Sequence, residues 1–357
     1  MSRVYDNWEK LVGAVLKRQL LREIALCESF NSSTTSDFSL DSSFQDVVAS
    51  SSTNQSQRDA QPIPFQDLKK ATKNFRFDFH LGEEGIGTVY KGWLNEHTLT
   101  ATKPGTGMAV AVKRFNPSSS HEWLERNYLN QFRHPNLVKL IGYCSEGDNL
   151  LLVYELMSKG SLENHLFRRG NLSLPWATRI KVAKGAARGL SFLHGLEIPI
   201  IHRDFKTSKI LLDGEFNAKL CGFDLARDGP TGDMTHVTTR VLGTYGYAAP
   251  EYLMTGHLTV KCDVFSFGVV LLEFLCGRRA IEKTKVVNEK DLVEWAKPYI
   301  VNKRMIFRVV DSDLKGQYSE DEACIIAILA LQCLNEDPEQ RPTMDEVVIA
   351  LDQLSCT

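Results

Sequence analysis

Lys113 closes the run Val110-Ala111-Val112-Lys113, an ammonium group at the end of a strand that reads as buried. A lysine in such company either reaches out to the edge of the sheet or is reserved for an anion. Upstream of it, Leu81-Gly82-Glu83-Glu84-Gly85-Ile86-Gly87-Thr88-Val89 is a glycine-rich turn between two strand patterns. Alone, that turn is a hairpin with turn glycines. The chain then writes His202-Arg203-Asp204-Phe205-Lys206, Gly222-Phe223-Asp224 and Ala249-Pro250-Glu251, in that order.

These pieces need two kinds of scaffold. From Pro64 the pattern consists of short β-rich runs bounded by Gly, Asn and Pro, among them GMAVAVKRF and NLLLVYELM. From Ser161 onward helical spacing dominates. A mostly-β segment followed by a mostly-α segment predicts an α+β fold of two lobes, the smaller over about 64–157 and the larger over about 158–354. The hinge falls near Glu155–Lys159, and a cleft between lobes is the default place for a ligand. Before the folded part, residues 1–28 carry an amphipathic helix from about Asp6 to Cys27. It docks on the main domain or a partner, or lies on a membrane surface. Residues 29–63 are rich in Ser, Thr, Asn and Gln and read as a disordered linker.

Composition excludes several classes. A net charge of -2 over 357 residues makes no electrostatic case for nucleic acid. The eight cysteines form no C-x-x-C pair, which suits a reducing compartment better than a zinc site or a disulfide framework. The N-terminus does not read as a signal peptide, and Val264 to Cys276 is too short to span a bilayer. A cytoplasmic protein is expected, with membrane contact at most peripheral, at the plasma membrane.

The order and spacing of the motifs match the protein-kinase signature set. The stretches FQDLKKATKNF, HPNLVKLIGYC, HRDFKTSKILLD and VTTRVLGTYGYAAPEYLMTGHLT carry the likeness further, and the chain resembles the plant receptor-like cytoplasmic kinases. The resemblance implies a kinase domain that binds ATP along residues 81–89, with Lys113 on the phosphates and Glu125 paired to that lysine. It implies that Asp204 accepts the proton of a substrate hydroxyl and that Lys206 steadies the γ-phosphate. Adenine would lie against Tyr154–Met157, Glu251 would pair with Arg341, and Asp263 would anchor the catalytic loop. Thr238 and Thr239 stand where such kinases are phosphorylated. The implied setting is plant receptor and immune signalling, with receptor kinases, related cytoplasmic kinases or immune regulators as protein partners.

The likeness fails in one region. Kinase metals are held by the Asp of Asp-Phe-Gly and by an Asn five residues after the catalytic Asp. Here those positions are Gly222 and Lys209. An ammonium has no lone pair for a cation, so Mg2+ binding is doubtful and no metal ligand is assigned. Asp224 falls two residues further on and would reach the site only through a rebuilt loop. Glu84 replaces the second glycine of the phosphate loop and should repel phosphates. All three departures touch the phosphate half of the cleft, and the elements that build the fold persist. A catalytically impaired kinase homologue, or pseudokinase, is therefore expected, acting as scaffold, allosteric partner or decoy. ATP binding would be weak or independent of metal. The alternatives are an active serine/threonine kinase with an atypical metal site and a nucleotide-sensing switch.

Overall fold

The computed structural model describes residues 60–85, 87–115, 122–167, 173–282 and 289–354. The amphipathic helix expected near Asp6–Cys27 and nearly all of the Ser-rich linker lie outside them. The fold is α+β, a sheet lobe followed by a helical lobe.

Among the described residues, the first strand lies before Pro64. Strand β1 (Gln61–Pro62) runs parallel to β5 (Leu140–Glu146), and Ile63 behind it is fully buried. The polar run that precedes it hides this strand, since one apolar side chain is the anchor. Helix α1 (Phe65–Ala71) follows and sets Leu68 and Ala71 into the same small core. The remaining strands are β2 (His80–Glu84), β3 (Gly87–Leu94), β4 (Met108–Phe115) and β6 (Asn149–Glu155), in the sheet order β1-β5-β6-β4-β3-β2.

Strand β4 shows why Lys113 looks inward. Successive side chains of a strand point to opposite faces. Val110 and Val112 therefore join Ile63, Leu68, Leu94 and Val153 on the outer face. Ala111, Lys113 and Phe115 share the opposite face, toward the other lobe. Helix α2 (Glu122–Gln131) brings Glu125 to that face.

After β7 (Gly160–Ser161) and α3 (Glu163–Leu166), the larger lobe is built on α4 (Trp176–His194) and α6 (Val260–Cys276). Between them lie β8 (Ile200–Ile201), β9 (Ile210–Leu212), β10 (Ala218–Leu220), β11 (Arg227–Asp228), β12 (Val237–Thr238), α5 (Pro250–Thr255) and β13 (His257–Leu258). Helix α6 is buried throughout from Cys262 to Cys276, with Asp263, Ser266 and Glu273 among otherwise mostly apolar residues, so it forms the axis of the lobe. The Thr259 side chain accepts from the Lys261 N–H at its start, and Gly277 (φ 62°) ends it in a left-handed turn. Helix α7 (Leu292–Ile300), α8 (Glu320–Cys333) and α9 (Met344–Asp352) pack around it and α4. No helix among the described residues is long and apolar enough to cross a membrane.

Candidate active-site cleft

Lys113 lies at the centre of a buried ionic cluster. Its Nζ donates to Glu125 Oε2 at 2.7 Å and to Asp224 Oδ1 at 2.5 Å, and stands 3.9 Å from Glu84 Oε2. Burial opposes its charge, yet the carboxylates of Glu125, Glu84 and Asp224 outweigh that and raise its pKa. Burial pushes Glu125 up to about 8, against the pull of Lys113, so it is the carboxyl in this cluster that most readily keeps a proton. Burial also drives the Tyr154 hydroxyl well above its ordinary range, helped by the same carboxylates, so the residue at the end of β6 stays neutral.

Asp224 is where the sequence reading needs correction, because its carboxylate does enter the site. Gly222 adopts φ +73°, and Phe223 is buried with its ring 5.1 Å from that of His202. A glycine makes that left-handed turn without strain, and two residues after it the Asp224 carboxylate meets Lys113. The hairpin also closes over it. Gly85 (φ +56°) lies so near that a Cβ there would come 2.4 Å from Asp224 Oδ2.

Lys209 points into the cleft as well. Only 5% exposed, it sets Nζ 3.3 Å from Glu84 Oε1 and 3.7 Å from Asp224 Oδ2. Burial works against its charge, and Glu84 and Asp224 are among the groups that overcome it and raise its pKa. A Cβ on Gly222 would fall 2.2 Å from Lys209 Nζ and 2.7 Å from Glu84 Oε1. The three departures are thus one physical unit, in which Gly222 leaves the room that the Lys209–Glu84 pair fills. Glu84, expected only to repel phosphates, is held by two lysines; burial raises its pKa, but Lys113 and Lys209 bring the net shift down. A magnesium ion held in the kinase manner does not fit here. Lys209 offers it no acceptor, and an ammonium occupies the space beside Gly222 where a ligating side chain would start.

The other residues of the glycine-rich stretch divide between wall and rim. Gly87 is buried under the Arg114 carbonyl, where a Cβ would come within 2.8 Å, and Val89 sits opposite Lys113 in the β3–β4 register. Gly82 and Thr88 belong to the hairpin, Leu81 is half exposed, and Ile86 lies outside the described residues. Glu83 turns outward, accepting from Thr88 Oγ1 at 2.8 Å and lying 3.2 Å from His80 Nε2.

Below the cleft the catalytic-loop residues are assembled. Asp263 at the start of α6 accepts from the N–H groups of His202 (2.7 Å) and Arg203 (2.8 Å), fixing the turn in which Arg203 has φ 70°. Asp204 Oδ1 accepts from Thr244 Oγ1 at 2.5 Å, Lys206 Nζ donates to the same hydroxyl at 2.6 Å, and Lys206 stands 3.1 Å from Asp204 Oδ2. Thr244 was missed by the sequence reading; its place within VLGTYGYAAPE gave no chemical signal apart from its neighbours. Arg203 Nε donates to the Tyr252 hydroxyl at 2.8 Å, and Nη2 reaches Thr239 Oγ1 at 3.1 Å. Thr239 thus meets the arginine, while Thr238 is exposed on β12. Glu251 and Arg341 form a two-pronged pair, both contacts 2.7 Å.

A lysine paired to a helix glutamate beside a hairpin of glycines, above an Asp–Lys–Thr loop, is a kinase cleft in outline. The model of the family described as protein tyrosine and serine/threonine kinase matches residues 75–351. The chain belongs to the protein kinase family. Its relatives include the probable serine/threonine-protein kinase PBL10 of Arabidopsis thaliana, 61% identical over 81% of this chain and 72% of that protein. Receptor-like cytoplasmic kinase 176 of Oryza sativa subsp. japonica is 58% identical over 81% of this chain and 75% of its own length. Serine/threonine-protein kinase BIK1 of Arabidopsis thaliana is 57% identical over the same shares, 81% and 75%. This kinase chain is therefore similar over most of its length to proteins named as serine/threonine kinases.

Proposed function

We propose that this protein kinase homologue works by binding partners in plant receptor signalling, as a scaffold, allosteric partner or decoy, and transfers phosphate poorly or not at all. The observation that carries the reading is the Lys209 ammonium beside Gly222, in the space where kinases hold a metal-ligating carboxylate. Phosphoryl transfer depends on positioning and charge neutralisation, and metal ions supply much of the second. Losing about 4 kcal/mol of that stabilisation slows the reaction roughly 10³-fold. ATP binding in this reading is weak and needs no divalent ion. The partners are receptor kinases, related cytoplasmic kinases or immune regulators, met in the cytoplasm or at the periphery of the plasma membrane.

The test is transfer of radiolabelled phosphate by purified protein with Mg2+ and with Mn2+, beside an Asp204→Asn control. The expected result is no incorporation above the control. Incorporation that disappears in the control overturns the reading.

A second reading, an active serine/threonine kinase with an atypical metal site, is favoured by one observation. Asp204, Lys206 and Thr244 keep a tight arrangement, and the Asp224 carboxylate has entered the cleft. The same assay decides between them.

A further inference from the structure

The ionic cluster has a sharper consequence than impaired chemistry. A kinase cleft ordinarily receives two things from outside, the negative phosphates of a nucleotide and the cations that neutralise them. Here the chain supplies both. Glu84, from the hairpin that covers nucleotide phosphates in kinases, puts a carboxylate 3.3 Å from Lys209 Nζ and 3.9 Å from Lys113 Nζ. Lys209 sits beside Gly222 and also reaches Asp224 at 3.7 Å. The two ammonium groups and three carboxyl groups, Glu125 included, are at least three-quarters buried, Glu84 being the most exposed at 22% of its side chain.

We propose that this cleft is occupied by its own residues, Glu84 standing in for a nucleotide phosphate and Lys209 for its cation. The small lobe is thereby held onto the large one without a nucleotide. A triphosphate entering the site must displace Glu84 and Asp224 from the lysines and meet their charge, so its phosphates gain nothing over a ligand that lacks them. Mg2+–ATP therefore has no advantage there over a ligand without phosphates. The proposal shares residues with the functional reading above but is tested separately. Phosphate incorporation decides that reading, and the two measurements below read only the occupancy of the cleft.

The first measurement is a thermal double-mutant cycle on the full chain with Glu84→Gln, Lys209→Met and both together. Each single change is expected to lower Tm by roughly 3–6 °C, and the double variant to melt no lower than the worse single. Losses that add show that the two side chains do not support each other, and overturn the proposal. Glu84→Gln is close to isosteric, so a folding failure is not its expected outcome. The second measurement titrates the unmodified protein with adenosine, with ATP in EDTA and with ATP in Mg2+, reading Tm. Equal shifts, including no shift in any arm, agree with a self-occupied cleft. A stabilisation by Mg2+–ATP several degrees above that by adenosine overturns it.

Discussion

At Gly222 an apparently simple restoration of the kinase residue, Gly222→Asp, should fail. The residue has φ +73°, a left-handed conformation that costs an ordinary L-residue about 1–2 kcal/mol. The new Cβ would lie 2.2 Å from Lys209 Nζ, which makes the present position of that ammonium untenable. Driving Lys209 away from Glu84 and Asp224 leaves buried charges without one of their partners, a further cost on the order of 1–2 kcal/mol once the remaining contacts to Lys113 are considered. The sum is about 2–4 kcal/mol. With a denaturant slope of about 3 kcal/mol per molar urea, the midpoint should fall by roughly 1 M. Lys209→Asn in the same chain removes the obstruction, so the double variant should recover part of the loss and not show two added penalties. Kinase activity should be absent from Gly222→Asp alone. It is expected only when Gly222→Asp, Lys209→Asn and Asp224→Gly are combined, with Glu84→Gly as a further aid. A Gly222→Asp variant as stable as the parent protein, or one equally unstable with and without Lys209→Asn, refutes the steric argument.

Glu273, buried on α6, accepts from the Tyr247 hydroxyl and the Ala280 N–H, both at 2.7 Å, and burial pushes its pKa up to about 7. Between the ordinary carboxylate range and pH 7 the folded protein holds a proton that the unfolded chain has released, so stability falls as pH rises through that window. Glu273→Gln should remove that component, and denaturation at pH 5 and pH 8 should show the variant losing about 2–3 kcal/mol less than the parent across the interval. Glu251→Gln strips the charged partner from the fully buried Arg341 and should cost about 3 kcal/mol, measured by the same method; replacing the pair with Glu251→Leu and Arg341→Met should recover part of it. Thr238 and Thr239 are expected to be modified when the protein is incubated with an active relative. Mass spectrometry should find the phosphate, and at Thr239 it would fall to Arg203, which already reaches that hydroxyl at 3.1 Å.

What could be read from the sequence came from coarse pattern and from the kinase resemblance. The β-rich and helical segments set out the two lobes, the pattern around Lys113 left its direction open, and the resemblance placed Lys113 beside Glu125 and Asp204 beside Lys206 in a loop that Asp263 anchors from α6. Glu125 could be placed by its spacing from His134, although the preceding stretch is a residue short. The burial of Ile63 was less visible, because that side chain stands at the end of a polar run.

The meaning of Glu84, Lys209, Gly222 and Asp224 was not legible residue by residue. Each alone reads as a loss: a charge in a phosphate loop, a cation at a metal ligand, a missing carboxylate, a carboxylate out of place. Their relation depends on a distance across the two lobes, from β2 to the loop after β10, and no sequence spacing encodes that distance. A Cβ at position 222 would meet Lys209 and Glu84, and Lys209 tolerates burial because Glu84 and Asp224 face it. An ammonium buried without such partners would lose its proton or its place. The four positions are therefore coupled: a side chain added at 222 meets Lys209, and removing Glu84, Lys209 or Asp224 takes one partner from the charges that remain.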